Sequence, residues 1–264
     1  MNNLYFLETI PIGWTFVVTL LIILVSIVIG FFIARRINKG APLGDDNATQ
    51  TIVGSTLALL AFMLAFTFGM TATRFNERKH LFIDEVNAVE TTSLRCGLIP
   101  EPHRSEVRKL LVEYLKTRVD LVTGVKTPWK VIEESGVIQD SIWKNVETVS
   151  NGDGQRDPLT ALFVDAVNNM FDLQTLRVNY ALIDRIPAML WYGLFALTLI
   201  AMFKVGYIFG KKERANWFVL LSFAFAFALV ILIIVDLESG TRGSIQVNQQ
   251  PLFDLYHNLQ GNLR

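Results

Sequence analysis

Asn151, Asp153, Gln155 and Asp157 set side-chain oxygens at alternate positions, the spacing with which a calcium loop begins. The position that should then supply a bidentate glutamate is Leu162, so the pattern stops short of a cation site. His80, His103 and His257 stand at no metal-ligand spacing. Cys96 is the sole cysteine, which excludes an intrachain disulfide and a multi-cysteine metal centre. No Gly-rich phosphate loop and no HExxH is present. The expectation is a protein without catalytic residues, metal or cofactor. The remaining polar groups of interest are charged: Asp84, Glu85 and Asn87 in one segment, Asp172, Arg177 and Arg185 in another, and a lone Lys204.

The elements that must position these groups follow from where charge is missing. The chain has 264 residues, 24 cationic and 24 acidic, with 52% apolar and only 18% charged residues and a mean hydropathy of +0.39. That balance gives no argument for a nucleic-acid partner. A bilayer core about 30 Å thick is crossed by about 20 apolar helical residues. Four windows reach that length: Gly13–Ile33 between Glu8 and Arg35, Ile52–Thr71 between Asp46 and Arg74, Ile186–Val205, and the stretch between Arg214 and Asp236. Uninterrupted apolar blocks mean helices, because backbone groups in lipid must bond within their own segment. Met1 to Ile10 carries no Lys or Arg, so the first block is an uncleaved anchor and not a signal peptide. Lys204, near the end of the third span, is expected to snorkel to the interface. Asp236 and Glu238 are expected as solvated end charges.

Residues 1–73 therefore hold spans one and two, 74–185 a helical soluble domain, 186–236 spans three and four, and 237–264 a C-terminal tail. In the soluble domain the span-two helix is expected to continue to about Arg95, with Phe75, Leu81, Phe82, Val86, Val89 and Leu94 largely on one face. A second helix covers about His103 to Val122. Thr127-Pro128 and Asp157-Pro158 are cap-and-proline starts of two more, separated by the turn Asn151 to Arg156. The last of these is expected to run to Arg185 and on into span three. Asp84 or Glu85 would pair with Arg177 if the first and last helices are neighbours; a ligand or cation site is the other reading.

Span two differs from the others. Gly54, Ala58, Ala61, Ala65 and Gly69 form a small-residue stripe that allows close helix packing. Beside it Leu59, Phe62, Phe66 and Met70 form a bulky stripe at steps of three, four and four. Rings of such side chains around an oligomer axis would make a constriction that gates ions by dewetting; ordinary packing against lipid or helices is the bland alternative. Thr67 and Thr71 could wet the wider end, or simply bond their own helix. At the mouth, Arg74 and Arg78 would favour anions while Glu77 opposes them.

Leu64-Ala65-Phe66-Thr67-Phe68, Arg74-Phe75-Asn76-Glu77-Arg78-Lys79, Asp84-Glu85-Val86-Asn87-Ala88 and Leu98-Ile99-Pro100, followed by Asn168-Asn169-Met170-Phe171-Asp172, Arg177 and Arg185-Ile186-Pro187, resemble the bacterial bestrophin-like domain family. The likeness spans roughly residues 50 to 200. It implies an all-α, multi-pass protein of the bacterial plasma membrane, a homo-oligomer with pentamer as the family precedent, and span two lining a central pore for inorganic ions. Its partners would be the lipid bilayer, copies of itself and those ions. A non-conducting membrane scaffold or sensor is the rival expectation. Orientation is read two ways. Arg35, Arg36, Lys39, Lys211, Lys212 and Arg214 place the short loops inside and the soluble domain outside. Arg74, Arg78, Lys79, Arg177, Arg185 and Arg242 nearly balance that count, and the resemblance puts the soluble domain in the cytoplasm.

Overall fold

The structure is a computed structural model that describes residues 11–37, 47–152, 157–212, 216–240 and 243–263. Glu8, Lys39, Asp46, Arg214 and Arg242, and Asp153, Gln155 and Arg156 of the expected turn, lie outside the described residues.

Eight α-helices follow one another among the described residues: α1 (Ile12–Ile37), α2 (Asn47–Arg95), α3 (His103–Val122), α4 (Pro128–Asn151), α5 (Pro158–Val178), α6 (Ala188–Gly210), α7 (Trp217–Glu238) and α8 (Gln250–Gly261). No strand occurs among the described residues. Four helical stretches are long and apolar enough to cross a membrane, so the chain is a multi-pass, all-α membrane protein. The chain divides into two units, one running to Asn76 and resuming over Arg185–Gln246, the other formed by Glu77–Asp184 and Val247–Arg264.

In the first unit α1 packs along α6 and α7. Ser26, Gly30 and Ala34 recur every four residues on α1, facing Gly206 and Gly210 of α6. A Cβ on Gly30 would collide with the Phe203 carbonyl, one on Gly206 with the Ile27 carbonyl, and one on Gly210 with the Phe31 carbonyl. Ser26 Oγ donates to Leu199 O at 2.8 Å across the same contact. This is close packing by small residues, which association in lipid relies on. On α7, Ala224 and Ala228 are buried while Phe223 and Phe227 lie 4.8 Å apart, so the Phe-Ala alternation serves packing.

The second unit packs Phe82, Val86 and Val89 of α2 with Val107, Leu111 and Tyr114 of α3, Ile142 and Val146 of α4, and Phe163 and Met170 of α5. Leu94, expected on that face, is 73% exposed. Asp157 caps α5 by accepting from Leu159 N at 3.1 Å, whereas Thr127 stands at the N-cap of α4 without a side-chain bond. After α3, Gly124 at φ 75° lets Val125 N reach Asp120 O and its own N–H reach Leu121 O, a left-handed cap that suits glycine. The expected continuation of α5 into span three is not found. The helix widens into a π-turn over Asn179–Ile183 and residues 184–187 are extended before α6 starts. Pro187 disfavours a helical residue before it and has no N–H to give. The stretch 237–264, expected only as a tail, supplies α8, whose Leu252 and Leu255 are buried in the second unit against α3.

Candidate functional site

One face of the membrane part of α2 is covered within its own unit. Val53, Leu60, Leu64, Thr67 and Thr71 are buried, and the three aliphatic ones join a core with Ile23, Leu194 and Ala201. The bulky stripe lies on the other side: Leu59 is 53%, Phe62 67% and Phe66 52% exposed, with Met70 half-buried. The small stripe beside it is also exposed, and a Cβ on Gly54 or Gly69 would meet nothing within 4 Å. Two adjacent apolar stripes of one helix are thus left uncovered by the described residues.

The structure separates the threonines from this face. Thr67 Oγ1 donates to Met63 O at 2.8 Å and Thr71 Oγ1 to Phe68 O at 2.9 Å, inside the unit. They are turned from the stripe because residues 60, 64, 67 and 71 share the buried side. Arg74, expected at the mouth, is paired: its Nε lies 3.3 Å from Glu238 Oε2, an ion pair with little exposure on either side. Glu238 Oε1 accepts from Ile186 N at 3.1 Å. Asp236 Oδ1 accepts from Ser244 N at 2.8 Å. Asp236 and Glu238 are therefore buried anchors and not solvated end charges. Glu77 is exposed and Arg78 half-buried with partners of its own. Lys204, expected to snorkel, donates its ammonium to Thr56 Oγ1 of α2 at 2.9 Å.

The second unit encloses an ionic cluster. Glu85 is 2% exposed and accepts from Tyr114 Oη and from Arg177 Nη1. Arg118, 5% exposed, places Nε 3.2 Å from Glu85 Oε1 and donates through Nη2 to Tyr114 Oη at 2.9 Å. Arg177 also lies 5.1 Å over the Phe82 ring. Burial alone would raise the Glu85 carboxyl, but the guanidiniums of Arg177 and Arg118 and the Tyr114 hydroxyl outweigh it and hold it at about 2. Burial likewise pushes the Tyr114 phenol well above its ordinary range. The expected Glu85–Arg177 partnership is present; Asp84, Asn87 and Asp172 are exposed and outside it, and Arg185 belongs to the other unit. Tyr114 was expected only as a buried residue of α3 and Arg118 not at all; neither was placed beside the carboxylate. Their i, i+4 spacing on α3 was the available signal, but it marks a pair on a helix, not the carboxylate it faces.

The Bestrophin-like domain profile matches residues 21–252. Solved structures show the same fold at low identity. A point variant of a bacterial bestrophin homolog from Klebsiella pneumoniae is 13% identical with a TM-score of 0.66, covering 96% of this chain and 97% of that one. A second variant of it is 12% identical, with a TM-score of 0.63 and coverages of 96% and 98%. The structure of the homolog phased on zinc is 13% identical, with a TM-score of 0.62 and coverages of 96% and 97%. No curated protein matches the sequence.

Proposed function

Because the chain belongs to the bestrophin-like family, we propose that it forms a homo-oligomeric, passive ion channel gated on α2 by Leu59, Phe62, Phe66 and Met70. The observation that carries this reading is the uncovered double stripe: bulky residues exposed on one side of α2, small residues exposed beside them, and the opposite side buried. The small stripe supplies a surface on which a neighbouring α2 can approach closely. The bulky stripe would then face the axis and exclude water when narrow. The family precedent is a pentamer in a bacterial plasma membrane with the second unit in the cytoplasm, and we adopt it.

The test is current across a planar bilayer containing the purified oligomer under a KCl gradient. A defined reversal potential is expected, and Phe62→Ala or Phe66→Ala should raise conductance severalfold with oligomer size unchanged. A silent bilayer with the oligomer intact would move the function to a membrane scaffold whose second unit binds a partner.

A further inference from the structure

Hydrogen bonds between helices set the direction of each one in the second unit. Glu85 of α2 accepts from Tyr114 of α3 and from Arg177 of α5. At the end of α2, Arg95 Nη1 donates to Leu162 O of α5 at 2.7 Å, and the Cys96 thiol just beyond donates to Arg104 O of α3 at 3.2 Å. Higher numbers on α2 thus meet lower numbers on α3 and α5, so both helices run antiparallel to it. Eight residues before Glu85 is Glu77, where the unit begins, and eight after Tyr114 is Val122, where α3 ends. Each step is about 12 Å of helix, so the turn from α3 to α4 stands level with Glu77. Helix α5 points to the same end, where Asp184 closes the unit's first segment. The chain therefore arrives from span two and departs for span three at the end of the unit that carries this turn.

The turn is fixed in shape and apolar on its outside. Lys126 Nζ lies 2.9 Å from Asp120 Oδ2 and 2.6 Å from Glu134 Oε2, which ties α3 to α4 across it. Around this tie Val125 is 72% and Trp129 68% exposed, with Val122 exposed beside them, all left uncovered by the described residues. Water disfavours such side chains, whereas the boundary between headgroups and acyl chains accepts them and is where tryptophan concentrates. Charge supplies no competing attraction, since Lys126 and Lys130 are offset by Asp120, Glu133 and Glu134.

We infer that the α3–α4 turn is a lipid contact: Val122, Val125 and Trp129 seat in the headgroup–acyl boundary, a third point of membrane contact for the second unit besides its two connections to the spans. The inference needs the membrane fold but not the channel reading.

Val125→Cys in the full-length protein, labelled with a nitrobenzoxadiazole fluorophore and reconstituted in phosphatidylcholine vesicles, tests it. Burial pushes the Cys96 thiol up to about 11 and keeps it unreactive, so the dye reports only the new site. Phosphatidylcholine carrying a nitroxide near the top of its acyl chain should extinguish most of the emission, and iodide on both sides of the membrane should take little. A probe at Leu94→Cys, exposed at the opposite end of the unit, should escape the lipid quencher. Trp129→Cys gives the same readout should Val125→Cys not assemble. A turn probe quenched by iodide and not by lipid places the turn in water, and one that neither quencher reaches places it under protein, such as a second copy. Lipid quenching equal at Leu94 and the turn denies the unit a membrane-facing end. Each of these three results overturns the inference.

Discussion

At the α1–α6 contact of the first unit, backbone meets backbone: Gly30, Gly206 and Gly210 have no room for a single added carbon. In the second unit the contact is made by side chains: Phe82, Leu111, Ile142, Phe163 and Met170 share one core, and the buried carboxylate of Glu85 pairs with two guanidiniums. With the first unit in lipid and the second in water, as proposed, the difference follows from the solvent of each. Lipid offers helices no gain from hiding apolar side chains, so association needs close approach and van der Waals contact. Water does offer that gain, and a core built on it can enclose a polar cluster when every member is paired. The same composition of small residues has two roles in the first unit itself. On α1 and α6 it is consumed within the chain, and on α2 it is left open.

Removing one member of the buried cluster should have the largest effect. Glu85→Ala strands Arg118 in the core and should cost about 3–5 kcal/mol, read as a fall in the thermal unfolding midpoint of the detergent-solubilised protein. Acid should act on the same contact. The Glu85 carboxyl, held at about 2 against an ordinary 4.5, stabilises the fold fully above pH 4.5, and that contribution is lost as pH falls from there toward 2. In Glu85→Gln that part of the acid dependence should disappear, and its survival would assign the loss to other carboxylates. Gly206→Ala should cost about 1–3 kcal/mol by overpacking, again read by thermal unfolding and without a change in acid sensitivity. Gly54→Ala and Gly69→Ala should alter folding by less than about 1 kcal/mol, and any effect should appear in oligomer size on gel filtration. A collapse of the folded subunit in either variant would erase the distinction between the two glycine sets.

The four spans, the extent of α3 and the starts of α4 and α5 were legible because apolar length, Pro128, Asp157 and Pro158 act locally; the end of α5 was not. The Glu85–Arg177 pair was legible as complementary charge on two helices, but Arg118 was not, since only packing decides which side of α3 faces the carboxylate. Close packing was read onto α2, whose stripe is the more regular, while Gly30, Gly206 and Gly210 make the contact within the chain. Periodicity reports that a stripe exists, not what covers it. Glu238 looked like an end charge because its partners, Arg74 and Ile186 N, are distant in sequence. Helix α8 left signals that were passed over: Pro251 at its start, then Leu252, Leu255 and Leu259 at helical spacing.

That last helix also fixes an order of events during synthesis. The second unit begins at Glu77, yet Leu252 and Leu255 of its core are translated only after both later spans. Its core stays open on the α8 side of α3 while α6 and α7 are threaded into the bilayer. A nascent chain arrested before Pro251 would present a bundle with its seat for Leu252 and Leu255 uncovered.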